Sequence, residues 1–220
     1  MTGGVFERFR DIVDNRLRPG LRDLGFGEGT TTLAASLADD VLWLVDLAVA
    51  PWSNGEKVCF TVSWGVHVLG MDGALGDPAP EVLDLDSCVV VGRAGERPGR
   101  LDPRWFEVAA RPRPIATVAD ANVAKHVLGA IVGDVLPRLE RLATVADVQA
   151  HLHHALLTGR GVPDGEELLT IRRIAALSLL LGDRANAVRW LDHLEARSAS
   201  RMAPDLVAER IAPLRQRVAS

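Results

Sequence analysis

The stretch VLWLVDLAVAPWSNGEKVCFTVSWGVHVL, residues 41–69, decides the fold. Two runs rich in β-branched and aromatic residues, 41–50 and 57–68, flank Trp52-Ser53-Asn54-Gly55-Glu56. Asn-Gly favours a type I′ hairpin turn, whose two central residues need positive φ. Centring the turn there sets Val49 opposite Phe60, Leu47 opposite Val62, Val45 opposite Trp64 and Trp43 opposite Val66. One face of the ribbon is then wholly apolar. The other carries Leu42, Leu44, Asp46 and Ala48 against Thr61, Ser63, Gly65 and His67. A slip of one residue would mix the two faces, so alternation and turn select the same register.

Working outward, residues 30–37 read as a preceding strand, with Leu33 opposite Val45 and Leu37 opposite Val41, which makes a three-stranded meander. Residues 87–93 (SCVVVGR) form a fourth strand, and the continuous apolar run predicts an interior position. Residues 105–109 form a fifth strand. Between these strands, the glycines and prolines of GMDGALGDPAPE (70–81) predict a loop.

Helical spacing accounts for most of the remainder. Val5, Phe6, Phe9, Ile12, Val13 and Leu17 mark an amphipathic first helix, which Pro19-Gly20 should interrupt. Thr117 should cap a long helix that Pro137 kinks or ends. Thr144 with Asp147 has the spacing of a capping box opening the next helix. After GRGVPDG (159–165), three further helices are expected, over 166–181, 185–197 and 204–218, the last containing an awkward Pro213. The expected architecture is therefore α+β. An antiparallel sheet of four to five strands carries the N-terminal helix and a long helix pair on its apolar face, within a domain of residues 1–158. A linker (159–165) and a C-terminal α-helical extension (166–220) follow.

Several of these residues, in this order, resemble the bacterial domain of unknown function 4304 family. They are the amphipathic first helix, Leu21 through Gly25-Phe26, the turn at Trp52, the run Phe60 to Val66, Cys88 with Arg93-Ala94-Gly95, and Trp105-Phe106. The resemblance spans about residues 5–158. It implies helices on one face of an antiparallel sheet and no established activity. Members of that family often carry Gln, Ser and Asn in the two hairpin strands, where this chain has Ala48, Ala50 and Ser63. Residues 168–194, with Ala176, Leu180, Gly182-Asp183, Ala187 and Trp190-Leu191, resemble a single tetratricopeptide-like helical hairpin.

Composition narrows the function classes. A net charge of −4 with scattered arginines argues against nucleic acid, which recruits a basic face. No apolar run approaches the ~20 residues that span a bilayer, so a cytoplasmic protein is expected. Cys59 and Cys88 both fall in strands and read as small buried apolar residues.

The candidate site is the polar face of the ribbon: Thr32, Asp46, Thr61, Ser63 and His67. A half-open sheet face holding a hydrogen-bonded carboxylate suits a ligand or protein partner. The plainer reading is a solvated sheet face. His151, His153 and His154 invite a metal reading, but only i and i+3 share a helix face, leaving His151 with His154 and no further ligand at a recognisable spacing. His67 near Asp72 lacks a fixed nucleophile. No catalytic motif, cofactor or metal is therefore assigned. The expectation is a non-catalytic protein-binding module, immunity-like or stress-related by analogy. The alternative is a small-ligand receptor or enzyme using a cleft between the polar sheet face and the C-terminal helices. Ile174, Leu177, Leu181 and Leu191 form a stripe that would suit a homodimer; otherwise the chain is a monomer.

Overall fold

The computed structural model describes residues 4–27, 32–38, 40–96, 103–110, 115–159, 166–199 and 204–219, with the side chains of 32–38, 115–117, 204–207 and 210 excepted. The fold is α+β, and contacts divide the chain into two compact units. One comprises residues 1–67 and 84–141, the other 68–83 and 142–220. The division thus falls at 141/142 and not at the glycine-rich 159–165. The cause is the helix over 145–158, whose apolar side belongs to the C-terminal helices.

The first unit opens with helix α1 (Val5–Ile12), a π-turn (Val13–Leu17) and helix α2 (Arg18–Asp23) on one continuous helical path. Pro19 does not interrupt it. The Arg18 N–H reaches back five residues to the Val13 carbonyl, and this wider turn makes room for the proline ring that an α-helix would push against a carbonyl. The same device recurs after helix α4 (Ile115–Ala130), where a π-turn (Ile131–Val135) leads through Pro137 into α5 (Leu136–Leu139). There the Leu136 N–H donates to the Ile131 carbonyl, so the chain continues helically through a wider turn where a kink or an end was expected. Helix α4 also begins two residues before Thr117, which is therefore not its cap.

The five-stranded sheet runs β1 (Thr32–Ala38), β2 (Val41–Val49), β3 (Lys57–Val68), β4 (Val90–Arg93), with β5 (Trp105–Ala109) also paired to β3. Leu33 faces Val45 as expected, but a bulge between Ser36 and Ala38 places Ala38, not Leu37, opposite Val41. The hairpin register follows the alternation: the Ala50 N–H donates to the Cys59 carbonyl, the rung next to the Val49/Phe60 pair. Its turn differs. Neither Asn54 nor Gly55 takes a positive φ. Instead Ser53 Oγ donates to the Cys59 carbonyl and accepts the Cys59 N–H, while Asn54 Oδ1 accepts from Glu56 and Lys57. Side-chain oxygens replace the backbone rungs a tight I′ turn would have made.

Strands β4 and β5 share one edge of β3. Ser63 to Val66 pair with Arg93 to Val90, and Lys57 to Thr61 pair with Ala109 to Trp105. Between them the chain leaves the ladder after Ala94, whose N–H donates to Val62, and returns at Arg104, whose N–H donates to Ala94. The two strands are in effect one edge strand interrupted by an excursion. The fourth strand is therefore not interior, and Val91 is 59% exposed. Gly95 makes the departure possible: its φ is +85°, and a Cβ there would meet Arg104 backbone nitrogen at 2.9 Å. Its N–H donates to Asp134 Oδ2 at 2.6 Å, and Arg138 binds both Asp134 and the Glu96 carbonyl.

Helices α1 and α4 pack on the apolar sheet face. Phe9 of α1 meets Phe60 at 4.9 Å, and Phe60 stacks on its cross-strand partner Phe106 at 5.5 Å. Burying each such ring stabilises by about 1.5–3 kcal/mol. Arg8 donates to the Ala109 carbonyl at 2.6 Å and pairs with Asp120, tying α1, β5 and α4 together. Gly20 lets α2 approach α4, since a Cβ there would stand 2.6 Å from Leu128.

The second unit contains α3 (Met71–Leu75) and α6 (Val145–Thr158), α7 (Glu167–Leu180), α8 (Arg184–Ser198) and α9 (Pro204–Ala219). Helix α3 lies where a loop was expected. Its buried Met71, Ala74 and Leu75 supply the burial that its glycines could not supply as propensity, and Gly70 and Gly76 close both ends at φ +78°. Arg172 of α7 caps it by donating to the Leu75 carbonyl at 2.8 Å and to Asp77 at 3.1 Å. Thr144 and Asp147 form the expected capping box of α6. Helices α7 and α8 make the expected hairpin, turned by Gly182 at φ +73° and restarted by Asp183, which accepts the Asn186 N–H. A buried polar node joins three helices: Ser178 Oγ donates to the Ile174 carbonyl and accepts from Gln149 at 2.7 Å and Asn186 at 3.2 Å. Helix α9 runs through Pro213, whose ring packs against Gly76. Ile174, Leu177 and Leu191 are buried in the chain itself, so of the stripe expected to drive dimerisation only Leu181 is exposed.

Candidate functional site

Along the hairpin ladder, the register fixed by Ala50 and Cys59 sets Asp46 opposite Ser63, and Thr32 pairs with Asp46 on the other side. The three strands thus place Thr32, Asp46 and Ser63 in one row; the Thr32 side chain lies outside the described residues. This face is not open to solvent over its length. Thr61, Ser63 and His67 are buried.

Within the first unit, part of the cover comes from the chain just before β4. Ser87 closes a tight turn with Asp84, its N–H donating to Asp84 Oδ1 at 3.0 Å and its Oγ to the Asp84 carbonyl at 2.7 Å. The turn lays Leu85 and Cys88 across Gly65, where a Cβ would stand 2.5 Å from Cys88 Sγ. A glycine in the middle of β3 is therefore a docking point for this strap.

The strap also decides what His67 can do. Its Nδ1 lies 2.9 Å from the Ser87 carbonyl, which can only accept, so Nδ1 carries a proton and donates it to the strap. Thr61 is likewise committed: its hydroxyl donates to the Arg104 carbonyl at 3.0 Å and pins the return of the edge-strand excursion. Of the five residues read from the alternation, Thr61 and His67 thus serve the scaffold. Asp46 remains half-buried, and burial raises its carboxyl pKa above 3.8, partly offset by the Leu47 backbone N–H.

Two residues outside that set form the conspicuous surface of the first unit. Trp52, in the hairpin connection, meets Trp105, the first residue of β5, with ring centroids 4.8 Å apart and planes at 61°. They are 56% and 41% exposed. Trp105 pairs with Thr61 and Glu107 with Cys59, so Trp105, Glu107 and the ribbon's polar residues share one face. Lys57 lies 3.6 Å from Glu107. The chain matches no protein-family model, no curated protein and no solved structure. The site must therefore be judged on its own chemistry. A sequence signal for it existed: two tryptophans set among Ser53, Asn54, Arg104 and Glu107 rather than among core residues.

In the second unit, Trp190 of α8 is flanked edge-on by His153 of α6 at 5.3 Å and His193 at 5.8 Å. Burial and the neighbouring His154 lower the pKa of His151. Among the described residues, no group of three or more His, Cys, Asp or Glu side chains converges in a way that could hold a metal ion, and no helix is long and apolar enough to cross a membrane. Cys59 and Cys88 are both buried.

Proposed function

We propose that this chain is a cytoplasmic, non-catalytic protein-binding module of bacterial type, related to the domain of unknown function 4304 family, whose recognition surface is the hairpin end of the sheet around Trp52 and Trp105. One observation carries the reading: two tryptophans touch one another and remain substantially exposed on a sheet edge. Tryptophan concentrates binding energy at protein interfaces because it offers a large rigid apolar area with a polar N–H, and leaving it in water is costly. The adjoining outer edge of β5 adds backbone donors and acceptors that an extended partner segment can engage.

The reading is tested by capture from a lysate of the native cells, with wild type and Trp105→Ala as baits, followed by affinity measurement on the recovered partner. A partner bound by wild type and at least tenfold more weakly by the variant supports it. Equal affinity for both baits removes this surface from consideration.

A second reading, a small-ligand site at Asp46, is favoured by the half-buried carboxyl and its raised pKa. Co-purification of a small molecule with wild type, lost in Asp46→Asn, would support it over protein recognition.

A further inference from the structure

We propose that the polar face of the sheet binds a free amino acid with an apolar side chain, its ammonium group on Asp46 and its carboxylate on Arg93, with the Ser63 hydroxyl between them. The inference rests on the reading of Asp46 as a small-ligand site and names the class of ligand.

Register is the first ground. The hairpin sets Asp46 opposite Ser63, and Ser63 pairs with Arg93 on β4. The three residues therefore stand on consecutive strands, in one row of one face. Neighbouring strands lie about 4.8 Å apart, so the Cα atoms of Asp46 and Arg93 are about 10 Å apart with Ser63 midway. A carboxylate and a guanidinium thus flank a hydroxyl that both donates and accepts.

The second ground is that this row is unpaired. Among the described residues, the Ser63 hydroxyl and the Arg93 guanidinium have no hydrogen-bond or ion-pair partner, and the Asp46 carboxylate has only the backbone N–H of Leu47. Ser63 is 5% exposed, and a buried polar group without a partner is costly. Burial likewise penalises the charged form of Asp46, a cost that an ammonium seated against it would offset. Arg93 is exposed, and its planar fork matches a carboxylate through two parallel hydrogen bonds. An amine alone would leave Arg93 unused, and a carboxylate alone would meet Asp46. A free amino acid carries both charges within the width of the row, whereas in a peptide interior both groups are consumed as amides.

The flanking residues select the side chain. Trp105 pairs with Thr61 and Val91 with Gly65, two residues to either side of Ser63 on β3, so both share the face of Arg93. They are 41% and 59% exposed, and an apolar side chain laid over either removes that surface from water.

Calorimetric titration of the full chain with leucine and phenylalanine tests the proposal, each beside its own one-charge analogues: isopentylamine and 4-methylpentanoate, phenethylamine and 3-phenylpropanoate. Saturable binding of at least one amino acid, about tenfold or more tighter than either of its analogues, is expected. Arg93→Gln should abolish most of the preference for the amino acid over its amine, and Asp46→Asn most of the preference over its carboxylate, with thermal unfolding showing that both variants are folded. No saturable binding of either amino acid, or an analogue that binds as tightly as its parent, overturns the proposal, and both comparisons need only the wild-type chain. A small molecule that co-purifies with wild type and is lost in Asp46→Asn, while neither amino acid binds, would leave the small-ligand reading standing and dismiss this one alone.

Discussion

The indole of Trp64 lies across Gly92, its cross-strand partner on β4: a Cβ at position 92 would stand 2.5 Å from Trp64 Cζ2. The glycine leaves a slot into which the ring is laid flat, and Trp64 is buried there with its Nε1 unpaired among the described residues. Gly92→Ala should therefore push the ring off its seat and cost about 1–3 kcal/mol, as overpacking of tight cores does. Urea denaturation measures the loss, and the near-ultraviolet circular dichroism of tryptophan should change with it. An alanine tolerated without loss would mean that the slot is not tight.

Gly129 of α4 provides the opposite case, because nothing lies within 4 Å of a Cβ built there. Gly129→Ala should stabilise the chain by about 0.5–1 kcal/mol through helix propensity and a less flexible unfolded state. The same denaturation experiment reads the sign.

Asp134 holds the edge-strand excursion by accepting the Gly95 N–H and the Arg138 guanidinium. Asp134→Ala removes a charge-assisted acceptor from both, and a cost of about 1–3 kcal/mol is expected. Hydrogen exchange at the Gly95 amide should accelerate more than exchange in β2. Uniform acceleration would show that the contact supports the whole unit and not the excursion in particular.

Ser178 serves Gln149 and Asn186 at once, so Ser178→Ala removes a buried hydroxyl acceptor from two part-buried amides, leaving Gln149 only its longer contact to the Ile174 carbonyl. The expected loss is about 1–3 kcal/mol. In a double-mutant cycle with Gln149→Ala, the second substitution should cost less once the first is made. Strict additivity would contradict a shared node.

The Asp46 carboxyl has a pKa raised by burial from the ordinary 3.8, so the folded state holds its proton to higher pH than the unfolded chain does. Within the window between those two values, folding takes up a proton and stability falls as pH rises; above the folded value the penalty is constant. Asp46→Asn should therefore raise the melting temperature at neutral pH, with the gain shrinking as pH is lowered through the window toward 3.8. A gain that grows on acidification would mean that the carboxylate is stabilised, not penalised, by its surroundings.

The sequence by itself determined the strands, the hairpin register, the Thr144 capping box and the α7–α8 hairpin. Each is written in neighbouring residues: alternation with period two, a capping pair three residues apart, Gly182-Asp183 at a turn. Tertiary structure alone decided the remainder. Pro19 and Pro137 did not end their helices, because π-turns widened the backbone ahead of them. Residues 71–75 became helical because burial of Met71, Ala74 and Leu75 outweighed the interior Gly73. The polar face is a face by alternation, yet whether it meets water depended on a strap 20 residues away in sequence reaching His67. Trp105, Phe106 and Val108 share one edge strand, yet of the three the indole is the exposed one, because it lies on the polar face and the other two on the face that helices cover. Local pattern fixes which side chains share a face; what covers that face is set by segments distant along the chain.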